Sequence, residues 1–296
     1  MKTAICTIAK LENNYIREWV EYHLNLGFDK IFLYDNNDGS GEHFEDVIAD
    51  YINNGRVDLI NFRGRKWAQI LAFNNCYNLH GKDYDWMAFI DADEFITLTK
   101  AKTITEFLSN PIYNNFDGIY LKWVYFTDNN LIEVKDNNYN CLDRFTEPDA
   151  HIHHWDQLEF GKRIIRTKLH INMNSSHGII YTSTYHECFA SGEPVVINKT
   201  ERDIDHDNAF ELNSLAYIKH FNCKSLQEFL NFKFTRGYPI PYRHSGMDLN
   251  LNDYFKTCKV TQEKLDYIQQ WLDNYTGPKN KDILQKQLNK YKEELK

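Results

Sequence analysis

The chain has 296 residues, 42% hydrophobic and 15% aromatic, which is ample material for a packed core and excludes a disordered protein. A formal net charge of −8 argues against nucleic acid as the main partner. The six cysteines are scattered without C-x-x-C spacing, so free thiols in a reducing, cytoplasmic setting are expected, with no zinc site or disulfide framework.

Thr3 to Ala9 reads as a first strand, and Lys10 and Glu12 end its apolar run too early for a signal sequence or a membrane span. A helix follows from about Tyr15 to Leu26, with Ile16, Trp19, Val20, His23 and Leu24 on one face and Gly27 as its stop. Ile31 to Tyr34 is a second strand, Asp35 to Gly41 a turn, Phe44 to Tyr51 a helix and Val57 to Asn61 a third strand. A helix from about Trp67 to Leu79 leads to a fourth strand, Trp86 to Ile90. This alternation predicts an α/β fold with a mostly parallel sheet. There is no G-x-G-x-x-G and no G-x-x-x-x-G-K-[ST], so neither a dinucleotide fingerprint nor a P-loop is present.

The apolar strand Trp86-Met87-Ala88-Phe89-Ile90 ends abruptly in Asp91-Ala92-Asp93-Glu94-Phe95. In an open α/β sheet ligands bind at the C-terminal strand ends. Two Asp separated by one residue point to the same side of an extended backbone, so both can address one hard divalent cation bridging a diphosphate. The plainer alternative is a solvated acidic turn.

Beyond the acids, Thr103 with Glu106 can box a short helix before Pro111, and Gly118 to Tyr125 reads as a strand. The stretch from about Asp128 to Pro194 is irregular and rich in His, Asn, Asp and aromatics, the place for an acceptor site. Ser225 and Glu228 form a second capping box for a helix to about Arg236, and Thr261 to Tyr275 is amphipathic. From Lys279 onward, Leu284, Leu288, Tyr291 and Leu295 form an apolar stripe on a basic helix. The stripe can pack back on the domain, pair with a second subunit in a homodimer, or support weak peripheral contact with anionic lipid at the inner face of the membrane.

In order along the chain, Lys10-Leu11-Glu12, Glu18-Trp19-Val20-Glu21-Tyr22-His23, Gly27-Phe28-Asp29, Tyr34-Asp35-Asn36 and the stretch Trp86 to Phe95 resemble the glycosyltransferase family 2-like proteins with a GT-A fold, especially the branch close to family 92. Arg144-Phe145, Lys162 to Arg166, His177-Gly178, Lys219 to Ser225 and Arg236-Gly237 continue the resemblance. It implies a GT-A domain over 1–237, with a nucleotide-sugar half (1–100) and an acceptor half (101–237), and a helical extension over 238–296. The activity implied is inverting transfer of a hexose from a nucleotide sugar, UDP-galactose or UDP-glucose, to a glycan or glycolipid acceptor in bacterial surface polysaccharide or lipopolysaccharide synthesis. Mn²⁺ or Mg²⁺ would be held by the D-x-D acids.

In that arrangement Asp93 is the direct metal ligand, and Asp91 belongs to the ion's surroundings or binds ribose or sugar and reaches the ion through water. His220 is the further ligand implied by the resemblance, with His177 as runner-up; imidazole suits Mn²⁺ better than Mg²⁺. For the donor, the strand ends contribute Thr7, Ala9 and Lys10, with Ala92 between the acids. Asp35 can accept from ribose or base, or open an Asx-turn, and Glu12 can face the donor or cap the first helix. Arg65, Lys66 and Gln69, at a helix start, can meet the phosphates or lie in solvent. The base that takes the acceptor proton is sought among Glu187, Asp128 and Asp156, which spacing does not separate. The rival functions are a haloacid-dehalogenase-type phosphatase, with Asp91 as nucleophile, and a noncatalytic sugar-binding module.

Overall fold

The computed structural model describes residues 1–149, 161–174, 179–180, 185–195, 214–234, 250–277 and 281–296. Contacts divide the chain into two compact units, Met1–Val124 with Ile152–His220, and Tyr125–His151 with Phe221–Lys296. This division differs from the expected boundary at 237. Long-range pairs of buried side chains tie 125–151 to the C-terminal part, and spacing along the chain does not reveal such pairs.

The first unit is built on strands β1 (Thr3–Ala9), β2 (Lys30–Asp35), β3 (Val57–Asn61), β4 (Trp86–Phe89), β5 (Glu94–Leu98), β6 (Gly118–Tyr125), β7 (Gly161–Arg166), β8 (Asn172–Met173), β9 (Ile179–Ile180), β10 (Glu187–Phe189) and β11 (Ala216–His220). The main sheet runs β3-β2-β1-β4-β7-β6-β11-β5, with β10 on β6, and β8-β9 form a separate pair. The pairs β2-β3, β1-β2 and β1-β4 are parallel, as the alternation predicts, while β7 is antiparallel to β4 and β6. Strand order reverses between β1 and β4, a switch point of the kind at whose C-terminal strand ends open α/β sheets bind ligands, and Lys10 and Asp91 follow those two ends.

Helices α1 (Asn13–Asn25), α2 (Glu45–Asn53) and α3 (Ala68–His80) connect the parallel strands. Gly27, at φ +104, ends α1 as expected, and the N–H groups of Gly27 and Phe28 return to the carbonyls of Leu24 and His23. Phe73, Cys76 and Tyr77 of α3 pack with Ala4, Cys6, Phe32, Tyr34, Met87 and Phe89 of the sheet. Burying such side chains at roughly 1.5–3 kcal/mol each is what holds the layer together.

Side chains of α1 secure the outer edge of β5. Trp19 Nε1 donates to the Glu94 carbonyl at 2.8 Å, Tyr22 Oη donates to the Ile96 carbonyl at 2.9 Å, and the Ile96 N–H donates to His23 Nε2 at 3.3 Å. His23 Nδ1 lies 2.9 Å from the Trp19 carbonyl, so the neutral ring donates there and accepts from Ile96. Burial lowers the His23 pKa to about 3.

In an apolar core among the described residues of the second unit, Leu226, Phe229, Leu230, Leu251, Tyr254, Leu265, Ile268 and Leu272 meet Leu284 and Leu288 of the last helix, Lys281–Glu294. Of the tail stripe, Leu284 and Leu288 are thus buried within their own unit and Tyr291 packs against the same core, while Leu295 is exposed. Ser225 and Glu228 form the expected capping box over Leu226–Glu228, which continues as a π turn through Phe229–Phe234. Glu228 accepts both guanidinium nitrogens of Arg144, at 2.6 and 2.8 Å; burial pushes its carboxyl up, and the Arg144 contacts more than reverse this.

Candidate functional site

The acids after β4 sit in a tight reversal. Glu94 opens β5, and its N–H donates to the Asp91 carbonyl at 3.1 Å while its Oε2 accepts the Asp91 N–H at 3.0 Å. The antiparallel ladder of β5 with β11 pairs Glu94 with His220. That register brings His220 Nε2 to 3.7 Å from Asp93 Oδ1, and one ligand atom each of Asp93, Glu94 and His220 lies within 4.8 Å of the others. The Trp123 ring packs against His220 with centroids 4.3 Å apart, which fixes the imidazole plane. Asp93 is partly buried, and Glu94 and His220 are buried.

Asp91 has both carboxylate oxygens engaged. Gln69 Nε2, from the first turn of α3, donates to Oδ1 at 2.5 Å, and Lys162 Nζ donates to Oδ2 at 2.8 Å. Lys162 also lies 3.8 Å from Glu94 Oε1 and is itself 1% exposed. Burial acts to lower the Lys162 pKa, but the carboxylates of Asp91 and Glu94 outweigh it and hold the ammonium above its ordinary value. Burial pushes Glu94 well above the usual carboxylate range; Lys162 opposes this, and Asp91 and Asp93 add to it.

The other expected donor contacts fall into three settings. Thr7, Ala9, Glu12 and Ala92 are buried. Asp35 makes the Asx-turn, accepting from the Asn37 N–H at 2.9 Å, and its other oxygen is held by Arg63 at 2.5 Å, a partner that spacing did not suggest. Lys10 pairs with Asp38 at 2.8 Å, Arg65 lies 4.4 Å over the Phe62 ring, and Lys66 is exposed. Next to them Trp67 is 61% exposed at φ 56 and ψ 37, a left-handed conformation uncommon for a bulky residue.

Two of the three base candidates, Glu187 and Asp128, are held in ion pairs. Glu187 is 4% exposed and accepts from Arg163 Nε at 2.7 Å and Nη2 at 3.0 Å, a bidentate ion pair. Asp128 is buried in the second unit, bonded to the Tyr254 hydroxyl and the Lys264 ammonium. Both carboxylates are committed to buried charge pairing, a setting different from the acceptor-facing one expected. Asp156 and His177 lie outside the described residues. Lys162, Gln69 and Arg63 are the polar groups whose precise partners could not be read from the sequence; the signal for Lys162 is a lysine inside the β-alternating run Gly161–Arg166.

Residues 3–228 match the family model for glycosyltransferase family 92. The chain belongs to that family. A glycosyltransferase family 92 protein of Oryza sativa subsp. japonica is 29% identical over 110 residues, 36% of this chain and 18% of the relative. A galactan β-1,4-galactosyltransferase of Arabidopsis thaliana is 28% identical over 102 residues, 32% of this chain and 20% of the relative. The matches thus span about a fifth of the length of these curated relatives. Among solved structures, S. aureus TarS in complex with UDP-GlcNAc is similar at a TM-score of 0.35 and 15% identity, over 56% of this chain and 46% of that one. A mannosyltransferase from Pyrobaculum calidifontis in complex with GDP-Man and Mn²⁺ has a TM-score of 0.30 at 10% identity, over 40% and 35%. In this family 92 chain, no helix of the described residues is long and apolar enough to cross a membrane.

Proposed function

We propose that this chain is a metal-dependent, inverting hexosyltransferase that takes its sugar from UDP-galactose or UDP-glucose and passes it to a glycan or glycolipid acceptor of a surface polysaccharide. The observation that carries this reading is the convergence of Asp93, Glu94 and His220, fixed by the β5-β11 register at the end of the β4 segment. The donor set fits a divalent cation: a carboxylate and an imidazole face one point, and the buried Glu94 Oε1 has no hydrogen-bond partner among the described residues. A mixed oxygen and nitrogen set favours Mn²⁺ over Mg²⁺. Asp93 and His220 would hold the ion, which supplies charge stabilisation to the departing diphosphate.

The chain's own residues do the rest of the work. Asp91, immobilised by Gln69 and Lys162, presents a carboxylate of fixed orientation to the hydroxyls of the donor. The resemblance of one stretch to a named galactosyltransferase supports galactose as the sugar. The lysines of Lys281–Glu294 can add a weak, salt-sensitive hold on anionic lipid, tested by cosedimentation of the full chain with anionic vesicles at low and high salt.

The deciding experiment is a panel of UDP-sugars incubated with the protein, with Mn²⁺ or EDTA, and read by UDP release. Mn²⁺-dependent turnover of UDP-galactose or UDP-glucose is expected, lost in Asp93→Ala and shifted to higher Mn²⁺ requirement in His220→Ala. Phosphate release from simple phosphomonoesters, or donor binding without turnover in the presence of glycan acceptors, would refute it.

A further inference from the structure

The two strands that carry the acids leave one group that the reading above does not use for the ion. Lys162 is 1% exposed, comes from β7, and ends 2.8 Å from Asp91 Oδ2 and 3.8 Å from Glu94 Oε1. Its placement is dictated by register. β7 pairs antiparallel with β4 so that Arg163 faces Phe89, and Lys162 comes beside the residues just beyond the strand's end. Successive strand residues point to opposite faces. Arg163 therefore goes to Glu187 and Lys162 to Asp91.

Three carboxylates in sequence, Asp91, Asp93 and Glu94, would repel one another strongly in so closed a site. They are not treated alike. Asp91 is clamped from two sides, by Gln69 on Oδ1 and Lys162 on Oδ2, while the cation Lys162 also faces Glu94. Asp93 faces His220. The acids are thus divided into a group that carries its own cation and a group that faces the imidazole.

We propose that Lys162 is a positioning residue: a resident cation that holds Asp91 outside the ion's coordination shell as an oriented acceptor and leaves the ion to Asp93 and His220. This rests on the reading of the site as a divalent-cation site. Without Lys162, Asp91 gains rotational freedom and a negative charge no longer offset, and it can swing to the ion as an added ligand. The residue would then increase the site's grip on the ion while losing the acceptor geometry that transfer needs. Removing a lysine that merely neutralises buried charge would also tighten cation binding, but Asp91→Asn would then have the same effect with and without the lysine.

The test is a double-mutant cycle on Mn²⁺ affinity, read by the EPR signal of free Mn²⁺ with no nucleotide present, in wild type, Lys162→Met, Asp91→Asn and the pair. Wild type is expected to bind Mn²⁺ with an affinity that Asp91→Asn changes by less than about threefold. Lys162→Met is expected to bind Mn²⁺ about tenfold more tightly, and Asp91→Asn in that background to remove the gain. UDP release is expected to fall in Lys162→Met and to recover partly in Lys162→Arg. If Lys162→Met does not fold, Lys162→Met with Glu94→Gln removes one buried charge with the lysine, and the cycle is run in the Glu94→Gln background. Unchanged or weaker Mn²⁺ binding in Lys162→Met, or equal effects of Asp91→Asn in both backgrounds, overturns the proposal alone. Absence of Mn²⁺ binding by wild type overturns the cation reading and this proposal together.

Discussion

Replacing Glu187 with Ala separates a catalytic carboxylate from a structural one. The side chain is 4% exposed and makes two charge-assisted hydrogen bonds to Arg163, whose guanidinium also lies 4.5 Å from the Tyr120 ring centroid. Truncating Glu187 removes both charge-assisted hydrogen bonds from the largely enclosed Arg163 guanidinium, a change that costs about 3–5 kcal/mol. At about 2–4 °C per kcal/mol for a unit of this size, the melting temperature of the first unit should fall by roughly 6–20 °C. Replacing both partners with apolar residues, Glu187→Leu with Arg163→Met, should recover most of the loss, because no charge is then stranded. Thermal denaturation followed by near-ultraviolet circular dichroism, with UDP release measured below the transition, reads both effects. A Glu187→Ala protein that melts within a degree of wild type yet has lost turnover would refute the structural assignment and return Glu187 to the role of base.

Three further outcomes follow from buried groups and one strained residue. His23 has its pKa lowered by burial from an unfolded value near 6.5 to about 3, so its contribution is full above pH 6.5 and is lost as pH falls toward 3. At pH 5 that amounts to about 2 kcal/mol, and His23→Gln, which keeps a donor and an acceptor, should flatten the acid limb of a denaturant-midpoint against pH plot. Asp128→Ala should destabilise the second unit by about 3–5 kcal/mol in urea unfolding, because it strands Lys264, while Mn²⁺ affinity stays at the wild-type value. Trp67→Gly should leave stability unchanged or raise it by about 1 kcal/mol by relieving the left-handed backbone, and a loss of turnover in that stable variant would show that the exposed ring is kept for ligand contact.

The parallel half of the sheet was legible because its strands are short, apolar and separated by helices: Thr3–Ala9 and Val57–Asn61 carry the same bounds in the sequence reading and in the fold, as does Gly118–Tyr125 in the mixed half. The strand Glu94–Leu98, directly after the acids, was hidden by them, since a charged first residue reads as turn until its partner is known. That partner, Ala216–His220, is five residues long and lies more than a hundred residues away. The D-x-D acids were therefore visible, as was His220 as a candidate by resemblance, but not the register that joins them. The partners of Asp35, Asp91, Asp128 and Glu187 were illegible for the same reason: Arg63, Lys162, Lys264 and Arg163 look like ordinary surface cations until tertiary packing buries them.

The last strand to be synthesised in the main sheet, β11, lies between two strands made long before it, β6 and β5. On a ribosome, β5 emerges about 120 residues ahead of β11, which is roughly ten seconds of translation. During that interval the inner edge of β5 has no ladder partner, and the α1 side chains cover its outer edge alone. The same insertion delivers His220 beside Asp93. Closure of the sheet and assembly of the Asp93, Glu94 and His220 cluster are thus one event, so a chain stalled or cut before residue 216 carries both an open strand edge and an incomplete cluster.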